Sequence, residues 1–247
     1  MPTFIGLDLA WGSKNESGVC VLKTVGEELR CASLDAIVGM PESFSASVAS
    51  YGADTLVAVD APLIVGEGRV AERELGRVFG KYKAGAYVAT PTWLERMGGM
   101  AGPNLGIALR GRGFSLDPAA IGTSTPVAVE VYPHAAHVVL FGLAERIKYK
   151  KGTLAQKREG LHELQEHLRV LLKPHRAVLD AAAVQAALAP VGTTAGGRSL
   201  KHLEDKLDAL TCAYVAYHAW TYGSAGTRVF GDAESGYILV PWRDGFA

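Results

Sequence analysis

The chain predicts an α/β fold, a mixed sheet covered by helices on both faces, and three observations carry that prediction. Two runs, "TLVAVDAPL" (55–63) and "TPVAVEVYP" (125–133), are too uniformly apolar for half-exposed strands and suit a covered parallel sheet. Three strand-like runs open the chain, with short connections that favour antiparallel neighbours. Much of the remainder carries helical patterns, with apolar residues recurring every three or four positions.

In order, "TFIGLDLAW" (3–11) reads as the first strand, "SGVCVLKTV" (17–25) as the second and "ELRCASL" (28–34) as the third. A weaker helical stretch, "PESFSASVASYG" (41–52), leads into the fourth strand at 55–63. Residues 66–124 do not read as core strand and form a helical and loop insertion before the fifth strand, within a single domain spanning 1–247. In that insertion "RVAERELGRVF" is an amphipathic helix with Ala71, Leu75, Val78 and Phe79 on one side, and the glycine-rich "GGMAGPNLGIALRGRGF" reads as a loop over a site. "TLAQKREGLHELQEHLRVLL" (153–172) places Leu154, Leu161, Leu164, Leu168 and Leu171 on one helix face. "AVLDAAAVQAALA" (177–189) reads as a further helix, Ser199 as the N-cap of the last one, and "GYILVPW" (236–242) as a closing strand.

Composition narrows the function classes. Hydrophobic residues make up 49% of the chain and charged ones 20%, enough for a sizeable core, and formal net charge is zero. Any attraction for nucleic acid must then come from a local patch rather than a global field. Cys20, Cys31 and Cys212 have no metal-type spacing and are odd in number, which fits a reduced cytoplasmic protein. The opening "MPTFIGLDLAW" lacks the pattern of a secretory leader, and no apolar run reaches the roughly 20 residues a membrane span needs.

Five acids stand out. "FIGLD", "LVAVD" and "VAVEV" each climb through apolar residues to an acid at or near the carboxyl end, Asp8, Asp60 and Glu130. Ligands of open α/β sheets bind beyond the carboxyl ends of parallel strands, where these acids would meet. The fourth and fifth acids lie in "EDKLDALTCAYVAYHAW" (204–220). There Leu203, Leu207, Leu210, Tyr214 and Tyr217 form one buried stripe, and Asp208 shares an apolar second face with Cys212, Val215 and Ala219. Asp205 precedes it by three residues, about 60° away around the helix. A carboxylate on a helix buried almost all round is costly unless something compensates its charge. Clustered acids also raise one another's pKa, and a hard divalent cation, Mg²⁺ or Mn²⁺, resolves both problems.

These motifs in their order ("GLDLAW", "VAVDAPL", "GRVAERELGR", "VEVYPHA", "EDKLDALTCAYVA" and "GYILVPW") resemble the RNase H-like superfamily. Within it they resemble the "domain of unknown function 429" family of predicted RNase H-like nucleases. The resemblance implies a five-stranded sheet of order 3-2-1-4-5 with the second strand antiparallel to the rest. It also implies a two-metal site for phosphodiester hydrolysis. Asp8 would match the acid of the first strand, Asp60 that of the fourth, and Asp205 and Asp208 the late-helix acids of Holliday-junction resolvases. Glu130 matches the smaller family only.

For substrate, DNA or RNA, several side chains are candidates. Arg69, Arg73, Arg77 and Lys81 recur every fourth residue as a cationic ridge, and Trp11 follows Asp8 closely enough to stack on a base. A denser basic cluster comprises Arg146, Lys148, Lys150, Lys151, Lys157 and Arg158, with no position assignable from sequence. His134 and His137 have helical spacing without a third imidazole or thiolate, which favours packing over zinc, with His134 a candidate for proton transfer. Two other readings share the core sheet. One is an actin-like or sugar-kinase-like phosphotransferase, and the other is a non-catalytic nucleic-acid or protein-binding module.

Overall fold

The computed structural model describes residues 1–12, 15–39, 41–243, 245 and 246. Strands β1 (Thr3–Asp8), β2 (Ser17–Val25) and β3 (Glu28–Ile37) form an antiparallel meander. Helix α1 (Pro41–Ala49) crosses to β4 (Thr55–Val59), which lies parallel to β1. Helices α2 (Ala71–Phe79), α3 (Pro91–Met97) and α4 (Ala101–Arg110) then intervene before β5 (Val127–Glu130), parallel to β4. The five-stranded sheet has the order β3-β2-β1-β4-β5, the RNase H-like topology that the sequence motifs imply. Helices α5 (Pro133–Phe141), α6 (Leu154–Leu172), α7 (Arg176–Leu179), α8 (Ala182–Leu188) and α9 (Gly197–Tyr222) follow. A separate hairpin of β6 (Thr227–Asp232) and β7 (Gly236–Pro241) closes the chain.

Alternation along the strands sorts side chains onto two faces. Phe4, Leu56, Ala58, Val127 and Val129 pack toward α9 and α6, whereas Ile5, Leu7, Val57, Val59 and Ala128 pack toward α1 and α4. Helix α9 lies almost flat on the first face. A Cβ built on Gly6 would stand 2.0 Å from the Ala209 carbonyl oxygen, and one on Gly18 1.9 Å from that of Asp205. Two strand glycines therefore bring the helix backbone against β1 and β2, close enough to set Asp208 opposite Asp8. As its two apolar stripes require, α9 is buried nearly all round, with Leu207, Asp208, Leu210, Cys212 and Ala219 all inaccessible to solvent.

Several elements depart from the sequence expectations. The glycine-rich 98–114 is not a loop: it contains α4, whose Gly102 and Gly106, one turn apart, lie on the backbone that follows β4. A Cβ on either would come within 2.4 Å of the Pro62 or Leu63 carbonyl oxygen. Those glycines serve close packing rather than mobility. Helix α9 begins at Gly197 with Gly196 as N-cap, so Ser199 lies inside its first turn. The alanine-rich run 177–189 is broken into α7 and α8. Leu154, in the first turn of α6, is exposed, and Leu172 joins the buried face with Leu161, Leu164 and Leu168. Strand β6 carried no clear signal, because only Phe230 of its six residues is buried. The three cysteines are free thiols. Among the described residues no helix is long and apolar enough to cross a membrane.

Candidate metal centre

Strands β1 and β4 run parallel in register, Gly6 beside Ala58, so Asp8 and Asp60 leave the sheet side by side on its α9 face. Asp208 meets them from α9, and one carboxylate oxygen from each of the three lies within 4.8 Å of the others. Three acids from distant parts of the chain thus share one point at the carboxyl end of the sheet.

This cluster is unevenly compensated. The Tyr149 hydroxyl donates to Asp208 Oδ1 at 2.7 Å. Lys150 Nζ stands 2.8 Å from Asp208 Oδ2 and 3.5 Å from Asp60 Oδ2. The first of these contacts is a buried ion pair, and among the described residues Asp8 Oδ2 is a buried acceptor with no donor. Burial pushes the Asp8 carboxyl well above its usual range, and Asp208 and Asp60 push it further against the pull of Lys150. Asp60 is raised to about 6, again chiefly by burial. For Asp208 burial also raises, but Lys150, His137 and the Tyr149 hydrogen bond outweigh it and hold the group below the ordinary value. One ammonium therefore sustains one carboxylate well and leaves the other two poorly served.

Asp8 and Asp60 line a cavity of about 1030 Å³, with the solvent-inaccessible Asp208 behind them. Its walls include Arg146, Lys148, Lys150, Lys151, Arg198 and Lys201 alongside the acids Glu16, Glu204 and Asp205, so cations outnumber acids around the acidic floor. Trp11 lines the same cavity, 40% exposed, with its ring edge-to-face against Trp93 at 5.4 Å. Asp205 lines it too, but Lys201 Nζ sits 2.5 Å from its Oδ1, and it stands outside the three-acid set. His134 borders the cavity, and burial keeps its imidazole well below its ordinary pKa. His137 lies beneath, 2.9 Å from the Thr211 hydroxyl and held to about 4 mainly by burial. Both rings are neutral near pH 7, which leaves His134 a neutral neighbour of the acids rather than a charged proton donor.

Glu130 and Arg69 stand elsewhere. Glu130 pairs with Val59, one residue short of the level of Asp60, so it points to the opposite face of the sheet. There the Arg69 guanidinium grips it with two hydrogen bonds of 3.0 and 2.6 Å and also donates to Glu72 and the Ile64 carbonyl. The Leu63 N–H donates to Glu130 as well. The Arg69 side chain is 2% exposed, so it is a buried clamp on the segment after Asp60 and offers nothing to a substrate. Arg73 and Arg77 are exposed on α2, outside the cavity lining, and Lys81 lies beyond the helix end. The expected ridge is thus split between a buried clamp and a solvated face.

Lys150 and Tyr149 are the site residues that sequence reasoning did not single out. A signal existed: Gly160 sits inside an otherwise regular amphipathic helix, and a Cβ there would stand 2.3 Å from the Lys148 carbonyl oxygen. That bare spot on α6 seats the 148–149 backbone, which presents Tyr149 and Lys150 to the acids.

The donor set fits a hard divalent cation. Among the described residues all three clustered groups are carboxylates, no thiolate or imidazole joins them, and the buried Asp8 Oδ2 has no donor. Neither the curated proteins nor the solved structures contain a match to this chain. A family model described as "Protein of unknown function (DUF429)" matches residues 6–235. The chain belongs to the DUF429 family, whose RNase H-like fold its sheet displays.

Proposed function

We propose that this protein is a metal-dependent nuclease that hydrolyses phosphodiester bonds of DNA or RNA. One observation carries the reading: an acid triad, in which the buried Asp8 Oδ2 has no donor among the described residues, lies at and just beneath the floor of a large cavity whose wall carries six cations. Asp8, Asp60 and Asp208 would hold Mg²⁺ or Mn²⁺, with Asp205 a further carboxylate on the cavity wall. When bound, such ions supply Lewis acidity and positive charge at the scissile phosphate.

The chain's own residues account for the rest. Asp60 is partly exposed whereas Asp8 and Asp208 are buried, so Asp60 is the ligand best placed to meet incoming solvent. Tyr149 orients Asp208 through its 2.7 Å hydrogen bond. Arg146, Lys148, Lys151 and Arg198 offer counter-charge to the phosphates that flank the reacting one, and Trp11 offers a ring face to a base. A bare acidic pocket would repel a polyanion, so the basic rim is what makes this cavity suited to nucleic acid.

The test is a Mn²⁺-dependent cleavage screen on single-stranded, double-stranded and branched DNA and RNA, with Asp208→Asn as control. Cleavage that needs both the ion and Asp208 is expected. Absence of cleavage on every substrate, together with heat stabilisation by ATP, would replace the nuclease reading with a phosphotransferase.

A further inference from the structure

We propose that the Lys150 ammonium and a divalent cation are alternative counter-ions of the Asp60–Asp208 pair, and that Lys150, once displaced, turns into the cavity to bind substrate phosphate. This rests on the metal-dependent reading of the same site.

Lys150 Nζ occupies the position where a cation would gain most, 2.8 Å from one carboxylate oxygen and 3.5 Å from another. An ammonium and a divalent ion cannot share those oxygens, because like charges at such separation repel strongly in a buried site. Nor is the lysine an adequate final partner. It brings one positive charge to three acids and, among the described residues, leaves Asp8 Oδ2 with no donor. A permanent structural ion pair is normally fully hydrogen-bonded.

Lys150 also has somewhere to go. Its side chain is 28% exposed and borders the open cavity, on a flexible four-carbon stem suited to a phosphate as a point charge. The flanking lysines have other partners: Lys148 pairs with Glu145, and Lys151 donates to the Tyr87 hydroxyl. Of the three, Lys150 alone pairs with the clustered aspartates. In the metal-free protein it holds the acids together. With the ion bound it becomes a free cation directly above the reacting centre, so substrate affinity becomes conditional on metal.

Three measurements on the full chain test this. Calorimetry with Mn²⁺ compares wild type, Lys150→Met and Asp208→Asn; removing the competitor is expected to tighten Mn²⁺ binding at least about tenfold. Reductive methylation of the wild type, read by peptide mass spectrometry, should modify Lys150 several-fold faster when Mg²⁺ is added, with Lys148 and Lys151 unchanged. Binding of a non-cleavable phosphorothioate oligonucleotide should be weakened by Lys150→Met in Mg²⁺ and unaffected without it. Mn²⁺ binding to Lys150→Met that is equal to or weaker than wild type would overturn the exchange, as would labelling of Lys150 that Mg²⁺ leaves unchanged or suppresses. An oligonucleotide effect that is absent, or the same with and without Mg²⁺, would remove the phosphate role. Should Lys150→Met not fold, the wild-type labelling decides the exchange. Wild type that binds Mn²⁺ through Asp208 without tighter binding by Lys150→Met defeats this inference alone. Equal, negligible heats from all three proteins defeat the metal reading with it.

Discussion

Two buried acid–base clusters sit at the carboxyl end of the sheet, on opposite faces, and they are built to different ends. Glu130 is held by two guanidinium hydrogen bonds and a backbone N–H, and its partner Arg69 spends its remaining donors on Glu72 and Ile64. Around the aspartates, by contrast, one lysine pairs with Asp60 and Asp208, and among the described residues the buried Asp8 Oδ2 has no donor. A satisfied cluster stabilises a fold, whereas an under-satisfied one is held in place by its surroundings and has capacity left for a ligand. The difference separates a satisfied structural clamp from the candidate metal centre.

The sharpest way to break this contrast is Asp8→Asn. Cleavage should fall about 10³-fold or more, on the order of 4 kcal/mol of transition-state stabilisation. The metal-free protein should melt no lower than wild type, because a neutral isostere relieves a buried charge. A parallel loss of melting temperature would make Asp8 structural and erase the distinction.

Arg69→Met should do the opposite. Stranding Glu130 and Glu72 costs about 3–5 kcal/mol, seen as a fall in melting temperature of about 10 °C in a chain this size. Mn²⁺ binding measured below that temperature should persist. Unchanged melting would show that the clamp does not support the fold.

Acidity sharpens the comparison further. Asp60 titrates near 6 in the fold against 3.8 when free, so between those values the folded chain binds the extra proton. Its contribution to metal-free stability is therefore complete at low pH, declines as pH rises toward 6 and is gone above it. Mn²⁺ competes with that proton, so affinity should fall as pH falls through about 6. Calorimetry from pH 5 to 8 checks this, and a flat profile would remove Asp60 from the ligand set.

The smallest effect belongs to Arg73→Ala on the solvated face of α2. Stability should stay within about 0.5 kcal/mol, and oligonucleotide binding by fluorescence anisotropy should not change. A clear loss of binding would restore the cationic ridge as a substrate contact.

How much of this was legible beforehand depends on the range of the interaction. Asp8, Asp60 and Asp208 were readable because each ends or interrupts an apolar run, and the strand-end rule brings two of them together. Glu130 misled because its run looks like the others, although its place in the alternation is odd by one residue. Arg69 lay in a regular every-fourth-residue pattern, yet it precedes α2 rather than belonging to it. Lys150 was one of six basic residues in a row of equals, and nothing local distinguishes it from Lys148 or Lys151.

By itself the sequence determined the layered α/β architecture and the identity of three acids that need a counter-charge, while the strand order came from the family its motifs resemble. Period and composition act over a few residues, and burial follows directly from them. Only the tertiary structure decided that Glu130 faces away, that Arg69 closes a clamp and that Lys150 reaches the aspartates. Those outcomes turn on register between strands and on backbone contacts at Gly6, Gly18 and Gly160, where a single methyl group would forbid the approach.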